Sequence, residues 1–344
     1  KAWNRIIETA FAESRVEGFE ELPDINLEAQ TIISGLLIIA DWIASNTYYF
    51  PLFEINGYYA DIYPGRIEYG WDKLLFPEKW ESETYCMDEG EFRSRFGFFP
   101  NEVQNKFIDI VNKTKSPGLF ILEAQMGVGK TEAALAAAEV LANRCGNSGI
   151  FFGLPTQATS NGLFVRLIRW ASKVSEDTLN AIRLAHSSAD LNDEYRKYDF
   201  MGMASLDEDG GENGIAIHPW FQGNKKALLA DFVVGTVDQF LLATLKRRHY
   251  MLRHLGLSGK VVIIDECHAY DAYMNVYLIN SLRWMGAYGI PVVLLSATLP
   301  KERRVEFTEA YSKYYVKCFM KADIKQIVEK EGWRENSSKS VIRW

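Results

Sequence analysis

Cysteine is scarce in this 344-residue chain: Cys86, Cys145, Cys267 and Cys318 are the only four. None forms a CxxC pair, and their spacing fits neither a zinc site nor a disulfide framework, so a reduced, cytoplasmic setting is expected. Long apolar runs are missing too. The most apolar stretch, Ile32 to Ala44, is interrupted by Gly35 and Asp41. It reads as short of the ~18–20 residues a spanning helix needs, so no membrane partner is expected. Trp3–Phe11 is amphipathic and contains an acid, unlike the apolar centre of a signal peptide. The first residue is Lys1, which reads as a fragment or a processed chain. There is no internal repeat and no low-complexity tract. Excess positive charge is absent as well, because the net charge is −7. The acidity is local, however. Residues 1–100 carry 18 Asp/Glu against 8 Lys/Arg, and the remainder 27 against 30. A nucleic-acid partner for the larger part is therefore allowed, provided that local basic clusters supply the contacts.

What is present is a chain that can bury a large core, with 48% apolar and 24% charged residues; its length allows about two domains. Residues 1–50 read as helices, with Ile32, Ile33, Leu36, Leu37, Ala40, Ile43 and Ala44 at helical spacing. Residues 51–92 are rich in Gly, Pro, Tyr, Trp and acids and read as a connector packed by its aromatics. From about residue 101, apolar strands alternate with helices. The helices are expected over Asn101–Lys113, Lys130–Asn143, Gln157–Lys173, Val237–Leu245 and Tyr273–Met285. The strands are expected over Gly118–Glu123, Gly149–Leu154, Asp231–Gly235, Lys260–Asp265 and Ile290–Ser296. That rhythm predicts an α/β fold with a parallel sheet covered on both faces. Asp207–Asn213 reads as an acidic loop, and a charged helix after Pro300 leads into a polar linker around 336–340.

Three strand ends carry chemistry. Ala124-Gln125-Met126-Gly127-Val128-Gly129-Lys130-Thr131 follows a strand and opens a helix, the context a phosphate-binding P-loop requires. Gly127 and Gly129 let the backbone curl its N–H groups toward phosphate oxygens at a helix N-terminus. Lys130 supplies charge at the β- and γ-phosphates, and Thr131 a hydroxyl for Mg²⁺. Val261–Ile264 runs into Asp265 and Glu266. There, Asp265 is assigned to the metal and Glu266 to the attacking water. Val292–Leu295 ends in Ser296-Ala297-Thr298. Each element alone has a bland reading as a turn or cap, but the three in this order point to ATP hydrolysis with Mg²⁺.

These motifs, AxxxxGKT, DECH and SAT, resemble the first RecA-like domain of a superfamily-two DExH helicase. Pro155-Thr156-Gln157 is similar to motif Ia. Gly235-Thr236 with Gln239 is similar to motif Ib. In that class both touch the backbone of a single strand. Gln104 stands where a Q-motif glutamine would read adenine. His268 would bridge the nucleotide site to Ser296 and Thr298, so that hydrolysis changes the grip on the strand. A narrower resemblance covers nearly the whole chain. Trp220–Ala230, VGTVDQ, Arg248-His249, Leu252-Arg253 and DECHAYDAYM are similar to the CRISPR-associated helicase–nuclease of type I systems. Ser34–Leu36 and Ala40–Asn46 resemble the last helices of that family's HD nuclease domain. The resemblance implies ATP and Mg²⁺, single-stranded DNA, and recruitment by the RNA-guided surveillance complex, Cascade. It also implies a divalent transition metal in the intact nuclease, with Asp41 as a remnant ligand.

Two departures matter. The family's nuclease needs early histidines, and none precedes His186, so this chain is not expected to cut DNA. The chain also ends soon after SAT, without a second RecA-like domain. It divides as 1–50 (end of an HD-type domain), 51–92 (connector), 93–300 (RecA-like domain) and 301–344 (helix and linker toward the missing domain). Leu245–His254 concentrates four permanent positive charges including Arg248. That stretch fits a phosphate-tracking surface and a solvated helix face equally by charge, and the resemblance favours the first. Lys225 and Lys226 stand in the same position. An RNA-dependent DExH helicase and a docking fragment that binds nucleotide without turnover remain alternatives.

Overall fold

The computed structural model describes residues 2–22, 24–52, 65–74, 79–114, 116, 118–174, 180–185, 215–216, 226–245, 248–319 and 341–343. Two helices come first, α1 (Ala2–Ser14) and α2 (Leu27–Ala44), followed by α3 (Arg66–Asp72) and α4 (Glu89–Phe96). The alternating part then runs α5 (Glu102–Lys113), β1 (Leu119–Glu123), α6 (Lys130–Cys145), β2 (Ile150–Leu154), α7 (Gln157–Val174) and β3 (Asn180–Ala185). It continues through β4 (Ile215–Ala216), β5 (Phe232–Thr236), α8 (Val237–Leu241), α9 (Tyr250–Ser258) and β6 (Val261–Ile264). The last elements are α10 (Ala272–Tyr288), β7 (Val292–Ser296), α11 (Lys301–Phe319) and β8 (Val341–Arg343).

The strands form one sheet in the order β4-β3-β5-β2-β6-β7-β1-β8, and every pairing is parallel. Strands β1, β2, β5, β6 and β7 are buried at every position, which is why they read as unbroken apolar runs rather than alternating ones. Their side chains divide between two cores. Phe120, Leu122 and Phe152 face α5, α6 and α7, together with Trp80 and Phe92 from the segment ahead of the sheet. Leu119, Ile121 and Phe151 face α8, α10 and α11, joined by Ile43 of α2. Helix α6 is buried at every position from Ala133 to Ala142, and Ala133, Ala134, Ala136, Ala137 and Ala138 keep it slim among its neighbours. Its Glu139 is fully buried and accepts from Trp170 Nε1 (2.7 Å), Thr84 Oγ1 (3.0 Å) and Arg95 Nε (3.1 Å). One carboxylate thus ties α6 to α7, to α4 and to the segment before it.

The topology places the three motif-bearing strand ends side by side, since β6, β7 and β1 are neighbours. Binding sites of open parallel sheets lie at the carboxyl ends of such strands.

The structure differs from the sequence expectations in several places. Helix α2 starts at Leu27, capped by Asn26, whose side chain accepts from Ala29 N. At 18 residues and a mean hydropathy of 1.4, it is long and apolar enough to cross a membrane by length and composition. That corrects the shorter reading of Ile32–Ala44. Here Gly35 lies against the Met251 backbone of α9, while Ile33, Leu36 and Leu37 are exposed. The helix expected to reach Leu245 is α-helical only to Leu241 and ends in a 3₁₀ turn, Leu242–Thr244. Strand β3 falls where no strand was read. The charged helix expected after Pro300 is α11, but its Phe307, Ala310 and Tyr311 enter the core, and β8, where a linker was expected, pairs with β1. The acidic loop at 207–213 and the polar stretch at 336–340 lie outside the described residues.

Candidate nucleotide site

The loop between β1 and α6 wraps around a cavity of about 440 Å³, within the range of small-ligand pockets. Gly127 and Gly129 adopt φ of +80° and +84°, left-handed values that side-chain-bearing residues resist. Several loop carbonyls are taken up by side chains. Asn101 Nδ2 donates to Val128 O (2.9 Å) and Gln104 Nε2 to Gly129 O (3.0 Å). Lys130 Nζ, on a buried side chain, donates to Ala124 O (2.8 Å) and Gln125 O (3.3 Å). Met126 is 78% exposed at the loop's crest, and Val128 and Thr131 line the cavity.

Asp265 and Glu266 line the same cavity. Burial and then the neighbouring Glu266 push the Asp265 carboxyl up to about 6, against Lys130, His268 and the Glu266 N–H, which stabilise its charge. Asp265 Oδ1 accepts from that N–H at 2.8 Å, and Tyr270 O–H donates to the Asp265 carbonyl at 2.8 Å. Glu266 has φ of +53°, a strained value for a non-glycine residue of the kind that gathers at functional sites. Thr131 offers a hydroxyl and Asp265 a carboxylate, oxygen donors of the hard type that suits Mg²⁺.

His268 joins this site to β7. Its Nδ1 lies 3.2 Å from Glu266 Oε2, 3.2 Å from Ser296 Oγ and 3.4 Å from Ala297 N. Ser296 is buried and its hydroxyl donates to Thr298 O (2.8 Å). Thr298 therefore takes part through its carbonyl, and its exposed side chain does not.

Other sequence candidates fall elsewhere. Gln104 lines the cavity, but its amide is engaged at both ends, because Oε1 accepts from Asn101 N (2.9 Å). It braces the loop. Thr156 is exposed and its Oγ1 accepts from Thr159 N (3.2 Å) at the start of α7, while Pro155 is half-buried. Thr236 and Gly235 are buried. Gln239 Oε1 accepts from Arg253 Nη1 (2.8 Å). Arg248 is exposed and Lys226 half-buried. Lys225 and the side chain of Gln157 lie outside the described residues. Asp41 is exposed on α2, and among the described residues no group of three or more His, Cys, Asp or Glu could hold a metal.

Sequence reasoning passed over Asn101, Phe98 and the pair Glu132–Arg166, all on the cavity wall. Asn101 had a readable signal, since N-x-x-Q ahead of an amphipathic helix is a capping box, and the box is formed. Nothing in the sequence announces a pair contributed by two different helices.

A parallel sheet with a glycine loop and lysine at the end of one strand, and paired carboxylates at the end of the next but one, defines a RecA-like P-loop domain. The comparisons narrow this. The family described as Cas3, HD domain, matches residues 2–50. The chain is 46% identical over 305 residues to the CRISPR-associated nuclease/helicase Cas3 of Streptococcus thermophilus, covering 88% of this chain and 33% of that protein. It superimposes on T. fusca Cas3-AMPPNP with a TM-score of 0.71 at 32% identity, over 87% of this chain and 33% of that one. A chain of a CRISPR RNA-guided surveillance complex, pre-nicking, matches with a TM-score of 0.53 at 30% identity, over 83% of this chain and 27% of that one. Over most of its own length the chain is thus similar to the CRISPR-associated nuclease/helicases named Cas3, and it spans about a third of the length of the relatives it matches.

Proposed function

We propose that this chain is the first motor domain of an ATP-dependent translocase on single-stranded DNA. The intact protein would be a type I CRISPR helicase–nuclease recruited by the Cascade surveillance complex in the cytoplasm. The observation that carries the reading is the His268 bridge, which links the carboxylates facing the P-loop to the end of β7. Residues 1–50 would close an HD-type domain, with 51–92 connecting it to the motor. The motor unit would extend beyond residue 300, because α11 and β8 build onto the same sheet.

In this reading Lys130 leaves its loop carbonyls for the phosphates, and Glu266 orients water for in-line attack on the γ-phosphate. Bound Mg²⁺ would supply charge neutralisation at the β- and γ-oxygens, with Thr131 and Asp265 as its protein ligands. Thr156 and Arg248, both exposed, are the described candidates for holding DNA phosphates without reading sequence.

The test is Mg-ATP turnover by the full-length protein without nucleic acid, with single-stranded DNA and with single-stranded RNA. Stimulation by DNA supports the reading, and stimulation by RNA alone moves it to an RNA-dependent helicase. ATP binding without turnover under all three conditions would leave a nucleotide-binding docking module.

A further inference from the structure

One ion pair in the cavity has no part in the reaction just described. Glu132 follows Thr131 in the first turn of α6, and its Oε2 lies 3.5 Å from where a Cβ on Gly129 would stand. The carboxylate therefore sits over the last residue of the phosphate loop. Its side chain is 16% exposed, and its partner is Arg166 Nη2, reaching across from α7 on a side chain 49% exposed. A helix N-terminus favours ionised carboxylates, and Glu132 stands where an anionic ligand would bind. Left uncompensated, that charge would oppose binding, as like charges at close range do. The cavity wall already carries Asp265 and Glu266 against Lys130. Arg166 is the second cation there.

We propose that Arg166 is a positioning residue for nucleotide binding. It cancels Glu132 at the edge of the phosphate cradle, so that affinity for a phosphate chain follows the net charge of the pair and not a direct contact from either side chain. The inference rests on the nucleotide-site reading above and adds a determinant of ligand affinity to it.

The test is equilibrium titration of the full-length protein with a fluorescent ADP analogue and Mg²⁺. The proteins compared are the wild type, Arg166→Gln, Glu132→Gln, the double variant and Lys130→Ala. Arg166→Gln is expected to weaken binding roughly tenfold, and Glu132→Gln to tighten it. The double variant, neutral like the native pair, is expected to return to within about threefold of the wild type. The defect of Arg166→Gln shrinks as salt rises, because a partly exposed charge is screened. A double variant as weak as Arg166→Gln would overturn the proposal, as would an Arg166→Gln protein that binds normally. If the wild type binds no nucleotide, or Lys130→Ala binds as tightly as the wild type, the nucleotide-site reading itself fails.

Discussion

His268 Nδ1 stands 3.2 Å from the hydroxyl of Ser296 and 3.2 Å from a carboxylate oxygen of Glu266. One imidazole thus touches the end of β7 and the carboxylate pair that follows β6. A change in the charge around Glu266 would act on a bond to β7, and energetic coupling requires a shared element of this kind. Replacing His268 by Ala removes the link but leaves the phosphate loop intact. The expected outcome is that stimulation of ATP turnover by single-stranded DNA falls by roughly fivefold or more, a larger effect than on turnover without DNA. Equal losses with and without DNA would show that His268 supports hydrolysis and couples nothing.

Lys130 and Glu266 should separate binding from chemistry. Lys130→Ala removes the loop's cation and is expected to abolish measurable Mg-ATP binding. Glu266→Gln keeps the shape and is expected to retain binding while turnover drops about 10²–10⁴-fold, the usual contribution of a positioned proton acceptor. Titration with nucleotide and single-turnover hydrolysis read the two steps independently. Glu266→Gln with wild-type turnover would remove Glu266 from the reaction.

The strand ends were legible because each motif closes an apolar run that could only be a buried strand. Position in the sheet was not legible: nothing in the order β1, β6, β7 along the chain says that β7 lies between the other two. Gln104 was found by its distance from the loop, yet its amide serves Asn101 and Gly129. Thr236 has the residue type for a phosphate contact but lies at the buried end of β5. Burial of one residue depends on what packs over a strand, which periodicity does not encode. The contact between Glu132 and Arg166 depends on how α6 and α7 sit on the sheet, and side-chain identity alone cannot report it.

The crossing of α10 and α11 depends on Gly286. A Cβ there would meet the carbonyl oxygen of Tyr311 at 2.1 Å and its carbonyl carbon at 3.0 Å. Those atoms are backbone and cannot swing aside, so Gly286→Ala must push the helices apart. Phe307 and Tyr311, both buried, would lose packing. Overpacking of this kind costs about 1–3 kcal/mol or more. A lower urea midpoint for the variant is expected, and an unchanged one would mean that the helices separate freely.

His254 sets a pH dependence of stability. It lies fully buried on α9, with Nε2 2.7 Å from Ala243 O and Nδ1 2.9 Å from Tyr288 Oη. The carbonyl can only accept, so Nε2 carries the proton and Nδ1 accepts from the tyrosine, which is the neutral ring. Burial lowers its pKa to about 4, against the Ala243 bond that favours the charged form. The unfolded chain takes up this proton near its ordinary value of about 6.5, so the contribution is fully present at neutral pH. It is lost as pH falls from about 6.5 toward 4, because the unfolded state binds the proton first. Between pH 7 and pH 5 the loss is about 2 kcal/mol. In His254→Gln the side chain keeps a donor and an acceptor but does not titrate. Urea unfolding of both proteins at the two pH values isolates this group. The stability difference between wild type and variant should shift by that amount against the wild type at pH 5, and an identical difference at both values would show that His254 is already protonated or solvated in the folded chain.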